Sequence, residues 1–225
     1  MSPFTDDHVA PGIAALERFL RARMAEGLPG VDAQRRFAPL PLLPGWSPDL
    51  QPSAARRAAA LLLFYPSALG PTVALTLRHP SLPHHAGQIS LPGGAVDPGE
   101  SLEATAKREA EEEIGVAADR LRLIGPLSPL WIPVSNFVVT PFVAVADERP
   151  AFRLHPGEVS ALVEAPLAHL RDPAHMGWAQ RQRREQLIDY PFIAIDQHKV
   201  WGATAMMLSE FLCLFDADHA PPAIA

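Results

Sequence analysis

Cysteine is nearly absent: Cys213 is the only one in 225 residues. A single thiol excludes a disulfide framework and any thiolate zinc cluster. Long apolar stretches are missing too. The longest purely apolar run, Ala58–Tyr65, falls far short of the ~20 residues of a membrane helix. The opening Met1-Ser-Pro-Phe-Thr-Asp-Asp-His has neither the basic nor the apolar region of a secretory signal, nor the Arg-rich look of an organelle presequence. A soluble cytoplasmic chain is therefore expected. Positive charge is also scarce, with 19 Lys and Arg against 25 Asp and Glu, a net of −6. This argues against a general nucleic-acid binder, which carries a basic stripe, but not against a small anionic substrate held by a few local cations. The 48% apolar and 20% charged residues are ordinary globular usage and exclude a disordered or collagenous chain. A chain of this length buries about 70% of its unfolded surface and needs no disulfide or structural metal to fold. Proline is in excess at 25 residues, about twice the usual ~5%. The prolines are scattered between apolar runs and read as turn and strand-end punctuation.

Along the chain, Ile13, Leu16, Leu20 and Met24 recur at helical spacing within Gly12–Glu26, which predicts an amphipathic helix whose ordinary use is packing on a core. Leu28–Pro52 has no sustained period and reads as a connector. Residues 1–55 are thus expected to form an extension, 56–217 the main domain and 218–225 a tail. Ala58–Tyr65, Thr72–Arg78, Gln88–Leu91, Leu121–Leu130, Asn136–Val145 and Ile188–Ile195 are strand candidates. Pro80–Ala86 reads as a loop and Pro92-Gly93-Gly94 as a turn. Helices are expected at Leu102–Ile114, with Ser101 as N-cap and Gly115 at the C-terminal cap, and at Trp201–Phe215. Strands interleaved with a few helices give an α/β or α+β sandwich. Cys213, within Phe211-Leu-Cys-Leu-Phe, reads as a small core residue. Arg181-Gln-Arg-Arg184 reads as an exposed loop or helix.

The stretch that carries chemistry is Gly94–Val116. On a helix, Glu109, Glu112 and Glu113 stand at i, i+3 and i+4 and share a face. Leu102, Ala106, Ala110 and Ile114 mark a neighbouring face for the core. Like charges at this spacing repel by roughly 0.2–0.5 kcal/mol per pair in water. A hard divalent cation relieves that repulsion, and carboxylate oxygens are its natural ligands. A Glu-rich helix is more often a solvated face. Here, however, Gly94, Glu100, Arg108-Glu109, Glu112-Glu113 and Gly115 fall at fixed spacing over 23 residues, on a predicted loop–helix unit.

In that spacing the sequence resembles the Nudix hydrolases, at every fixed position of their characteristic box. The resemblance implies an α/β/α sandwich with a mixed sheet and a loop–helix–loop box, and metal-dependent hydrolysis of nucleoside diphosphate derivatives. It implies Mg2+ or Mn2+ held by Glu109, Glu112 and Glu113 with the Gly94 carbonyl. It also implies that Arg108 orients a box carboxylate and that Glu100 and Gly115 support the box. Glu112 would help deprotonate the attacking water, with Glu158 a candidate base, further metal ligand or plain strand-end carboxylate.

Upstream, Leu75-Thr-Leu-Arg78-His-Pro-Ser-Leu82-Pro-His84-His85-Ala-Gly87-Gln-Ile-Ser-Leu91-Pro92-Gly-Gly94 is similar to the segment preceding the box in coenzyme A pyrophosphatases. Arg78, Leu82, His85, Gly87 and Pro92-Gly93-Gly94 fall in register, while His79 and Leu91 depart from it. The substrate implied is coenzyme A or an acyl-CoA, cut to 3′,5′-ADP and (acyl-)4′-phosphopantetheine. Arg78, His84, His85, Arg56 and Lys199 are the cations expected near it, Arg78 first because a guanidinium binds phosphate bidentately. Arg56, Arg57 and Lys199 otherwise read as surface charges, and His85 as a turn residue. A homodimer is part of the same resemblance, with neither nucleic acid nor membrane as partner. Two other readings stand beside it: a Nudix pyrophosphatase for ADP-ribose, dinucleotides or nucleoside triphosphates, and a non-catalytic binding module, against which the intact carboxylates speak.

Overall fold

The computed structural model describes residues 12–83, 85–183 and 186–223. Its centre is strand β1, Arg56–Ser67, in which Ala58–Tyr65 are all buried. The apolar run is continuous because both faces of the strand are covered. Ala59, Leu61, Leu63 and Tyr65 pack in one cluster with Ala106, Ala110 and Ile114. Ala60, Leu62 and Phe64 belong to a second cluster on the opposite face. The first cluster holds helix α3, Leu102–Ile114; the second holds α1, Ile13–Glu26, the short α4, Leu167–Arg171, and α5, Gly202–Leu212. The result is a sheet between helical layers.

The main sheet runs β3-β2-β1-β7-β5, with β2 at Gly70–Arg78, β3 at Ile89–Ser90, β5 at Arg122–Pro126 and β7 at Phe137–Val145. Strands β4 (Gly93–Ala95), β6 (Leu130–Ile132) and β8 (Val159–Pro166) pair with β1, β7 and β2 respectively. β1 and β7 are parallel, from Arg56↔Phe137 to Phe64↔Val145, and the other pairings are antiparallel, so the sheet is mixed. A separate meander orders β11 (His198–Trp201), β10 (Gln186–Ile195) and β9 (Met176–Arg183).

Several expectations are corrected. The connector contains a short helix, α2, Gly30–Arg35. Six residues are too few to show a period, and tertiary bonds hold the helix: Gln34 Nε2 donates to Glu210 Oε2 at 2.8 Å, and Ser209 Oγ to the Ala33 carbonyl at 2.7 Å. Leu121–Leu130 is not one strand but the β5 strand and the start of β6, split where Pro126 and Pro129 remove ladder donors. Gly93 and Gly94 do not merely turn; they pair with Ala60 and Ala59 at the open edge of β1. Trp201 closes β11 before the last helix begins. Arg181–Arg183 belong to β9, with the Arg181 guanidinium 4.7 Å from the Trp201 ring centroid. This polar strand shows no apolar alternation to read.

Helix α1 packs as its stripe predicts. Ile13, Leu16 and Leu20 join Phe37 and Ala38 in the same cluster as Phe64 and Phe211. Leu20→Ala is expected to lower stability by about 2–5 kcal/mol, the usual cost of a cavity at a fully buried leucine. Urea unfolding checks this, and a loss below about 0.5 kcal/mol, the range of inert surface changes, would detach α1 from the core.

Candidate active site

The site is built on α3 and the loop before it. Ser101 Oγ accepts from the Ala104 N–H at 3.1 Å, which caps the helix one residue after Glu100. Gly115 ends it at φ 72°, a left-handed conformation, and a side chain there would collide with the backbone of Arg153. Before the helix, the Glu100 N–H bonds the Asp97 carbonyl at 3.0 Å around Pro98-Gly99, a turn legible in Asp-Pro-Gly-Glu.

Arg108 is the hub. Its Nε and Nη2 donate to the two oxygens of Glu100 at 3.0 and 3.1 Å, and Nη2 also donates to the Ala95 carbonyl at 3.1 Å. Its Nη1 donates to Glu109 Oε1 at 2.9 Å and to Glu112 Oε2 at 3.0 Å. Glu100 further accepts from Thr105 Oγ1 at 2.7 Å and the Asp97 N–H at 3.3 Å. The Arg108 guanidinium, with these added donors, holds the Glu100 carboxyl down to about 2. Glu100 therefore braces the loop against the helix. Thr105 and Asp97, which the sequence reading did not single out, are part of that brace.

A second group meets the first at Glu109. Glu113 is 3% exposed, and its Oε2 is buried with no hydrogen-bond partner. Desolvation, reinforced by the Glu109 charge, pushes its carboxyl up to about 8, opposed by Arg78 and a hydrogen bond from the Gly93 N–H. Burial also raises Glu109, outweighing its bond to Arg108. Glu158 is exposed but close enough that its charge raises both carboxyls. Arg78, at the end of β2, is half-buried with its Nε unpartnered. Thus Arg78, Glu109, Glu113 and Glu158 feel one another's charge, while Glu100, Glu109 and Glu112 are gathered by Arg108.

The remaining expected cations lie differently. His85 takes a positive φ of 57° at an exposed turn, its Nδ1 3.0 Å from Gln88 Oε1, so the ring serves the turn. Arg56 and Lys199 are exposed and stack on Phe137 and Phe192. His84 and Arg184 lie outside the described residues. Cys213 is buried and its thiol is pushed up by burial, as a core residue.

Among the described residues, no three His, Cys, Asp or Glu side chains stand together as a ready-made cation site. The donor set nevertheless fits a hard cation. It is all oxygen, it includes the orphaned Oε2 of Glu113, and Gly94 leaves no side chain between its backbone and the Glu109 carboxylate.

A family model of the NUDIX domain matches residues 55–186, more than half of the chain. The chain belongs to the Nudix family. The Nudix hydrolase NudL of Photorhabdus laumondii, itself named as uncharacterized, is 34% identical over 164 residues, covering 72% of this chain and 87% of that protein. NudL of Salmonella paratyphi B is 36% identical over 156 residues, covering 69% of this chain and 81% of its own. Among solved structures, the M. smegmatis Nudix hydrolase RenU is similar over 50% of this chain and 71% of its own, with 29% identity and a TM-score of 0.44. This chain is thus a Nudix hydrolase, and Nudix hydrolases generally use divalent metals such as Mg2+ or Mn2+. No helix among its described residues is long and apolar enough to cross a membrane.

Proposed function

We propose that this Nudix hydrolase cleaves the pyrophosphate of coenzyme A or an acyl-CoA, giving 3′,5′-ADP and (acyl-)4′-phosphopantetheine by water attack on phosphorus. One observation carries the reading. The segment that resembles coenzyme A pyrophosphatases ends β2 with Arg78, whose unpartnered Nε lies in the electrostatic neighbourhood of Glu113 and therefore of the box carboxylates. The charge of the substrate-marking segment thus reaches the hydrolytic segment, which supports reading the two as one site. Glu109, Glu112 and Glu113, with the Gly94 carbonyl, are the groups that would hold Mg2+ or Mn2+. When bound, the ion supplies charge neutralisation at the pyrophosphate and a more acidic water. Glu112 or Glu158 would accept the proton of the attacking water. Arg108 keeps Glu109 and Glu112 aligned, and Glu100 and Gly115 fix the loop and the helix end. Arg78 grips the pyrophosphate rather than the distal 3′-phosphate, because it lies beside the hydrolytic carboxylates. A cytoplasmic location and a homodimeric assembly belong to this reading.

The test offers CoA, dephospho-CoA, ADP-ribose and a dinucleotide side by side with Mn2+ or Mg2+ and analyses the products. Release of 3′,5′-ADP from CoA, stopped by EDTA, is the expected result; turnover of ADP-ribose alone would overturn the substrate. Arg78→Ala is expected to raise KM for CoA and dephospho-CoA alike, by about 10–100-fold, the worth of a lost charge-assisted hydrogen bond. An effect confined to CoA would move Arg78 to the 3′-phosphate.

A further inference from the structure

Between β7 and β8 the chain crosses the end of the box helix without joining a ladder, through residues 147–158. Besides the ion pair of Asp147 with Arg122 on β5, its side-chain tie to the sheet is a closed ring of four residues. The hydroxyl of Tyr65, fully buried on β1, donates to Glu164 Oε1 on β8 at 2.7 Å. Arg149 donates to both oxygens of that carboxylate, Nε to Oε1 at 2.8 Å and Nη2 to Oε2 at 2.9 Å. The Arg149 guanidinium lies 5.2 Å from the Phe152 ring centroid, and that ring meets Tyr65 edge-on at 5.3 Å. A bidentate pair capped by an aromatic ring is the geometry in which an exposed arginine holds one position.

From this ring the segment runs onto α3. The Arg153 N–H donates to the Ile114 carbonyl and the His155 N–H to the Glu113 carbonyl, both at 2.9 Å. These are carbonyls that a helix C-terminus leaves without intrahelical partners. Gly115 admits the close approach. Glu158 follows, its N–H on the His155 carbonyl at 3.1 Å and its own carbonyl accepting from the His79 N–H at 2.7 Å, next to Arg78. The segment is pinned at both ends, and the Glu158 charge is felt by Glu109 and Glu113.

We propose that Tyr65, Glu164 and Arg149 are positioning residues, a clamp that seats the β7–β8 segment on the box helix and so sets Glu158 against the hydrolytic carboxylates. The inference rests on the reading of this site as a pyrophosphatase site in which Glu158 takes part. It is separable from ordinary stabilisation. β1 and β8 are each held by ladders of their own, and an exposed ion pair adds only about 0–1 kcal/mol to global stability. What the clamp holds is the loop.

The experiment compares wild type with Arg149→Ala, Arg149→Lys and Glu158→Gln, and with the double variant of Arg149→Ala and Glu158→Gln, by peptide-level hydrogen exchange and by steady-state kinetics on CoA and on ADP-ribose with Mn2+. In Arg149→Ala, exchange should rise in 147–158 while β1 and the centre of α3 keep their protection. kcat should fall by about 10–100-fold, the cost of a misplaced group, with KM nearly unchanged. Arg149→Lys should recover part of both. Arg149→Ala should add little to Glu158→Gln, since residues acting through one another are not additive. Unchanged exchange in 147–158, or a full further loss of kcat in the Glu158→Gln background, would overturn the clamp. If Arg149→Ala fails to fold, Tyr65→Phe gives the milder form of the same test, with a smaller rise in exchange at the same peptides. If wild type turns over neither substrate, the pyrophosphatase reading falls. Exchange together with Mn2+ titration followed by electron paramagnetic resonance then decides the clamp: unaltered exchange and affinity in Arg149→Ala refute it, and a change in both supports it.

Discussion

Glu113→Gln should remove turnover and, at the same time, stabilise the metal-free protein at alkaline pH. Both effects come from one buried oxygen. Oε2 of Glu113 has no partner, and the carboxyl titrates near 8 because burial and the Glu109 charge disfavour its ionised form. The unfolded chain releases this proton near 4.5, the folded chain near 8. Between those values the folded state binds more protons than the unfolded, so stability falls as pH rises and levels off above about 8. The accumulated cost is roughly 2–4 kcal/mol, from a shift worth 1.36 kcal/mol per pH unit, discounted for residual solvent. Gln has the shape of the protonated acid at every pH. The two proteins should therefore unfold at similar urea concentrations near pH 4.5 and diverge, with the Gln variant the more stable, up to pH 8.5. Added Mn2+ should stabilise wild type by mass action and leave the variant unmoved. Turnover should fall by at least about 10²–10³-fold, the cost of removing one preorganised electrostatic contact. A variant less stable than wild type at pH 8.5 would mean that Glu113 is a satisfied charge, and turnover within twofold would remove it from the ion site.

That stored cost is distributed unevenly, and Arg108 explains why. It gathers Glu100, Glu109 and Glu112 with a single guanidinium, so three of the four glutamates at the fixed positions of the box have a cationic partner. Glu113 has only the more distant Arg78. The site is braced on its solvent side and unsatisfied on its buried side, which is where an ion and a pyrophosphate would be most strongly drawn. Arg78 faces the same buried side with an unpaired Nε. Anionic and cationic deficits side by side suit a cation–pyrophosphate complex better than either component alone.

The parts of the fold that were legible are those whose signals are local. The run Ala58–Tyr65 announces a strand covered on both faces, and Ser101 and Gly115 bracket α3 with the chemistry that helix ends require. The box spacing gives the carboxylates, and the turn Asp-Pro-Gly-Glu places Glu100. β8 and β9 left no such trace. β8 alternates irregularly between buried and exposed positions, and β9 is polar over its second half, with Gln180, Arg181 and Gln182 exposed, so neither has an apolar period to detect. α2 exists through bonds to α5. The clamp joins Tyr65 to Glu164 and Arg149, about a hundred residues away, and only the antiparallel pairing of β2 with β1 and β8 brings them together. Arg78 was legible as a cation but not as the neighbour of Glu113, because that proximity depends on where β2 ends.

Two adjacent glycines should fail in different ways when each gains a single methyl. A Cβ on Gly93 would stand 2.7 Å from the Cα of Ala60 and closer still to the Ala59 carbonyl. Both are backbone atoms of the central strand, paired with β4 in the register Ala60↔Gly93 and Ala59↔Gly94, and neither can move without opening the sheet. Gly93→Ala should cost roughly 1–3 kcal/mol or more, as overpacking does, and lower the urea midpoint accordingly. A Cβ on Gly94 meets instead the end of a side chain, 2.7 Å from Glu109 Oε2 and nearer to Oε1. That carboxylate can swing aside, but doing so breaks its bond to Arg108 and takes it away from Gly94 and Glu113. Gly94→Ala should therefore keep its urea midpoint close to wild type and lose Mn2+ affinity by about 10–100-fold, the usual price of disturbing a ligand's support. Parallel urea and Mn2+ titrations of the two variants separate the cases. If Gly94→Ala binds Mn2+ as wild type does, Glu109 is not a ligand beneath that loop; if it unfolds as readily as Gly93→Ala, the Gly94 contact belongs to the fold and not to the site.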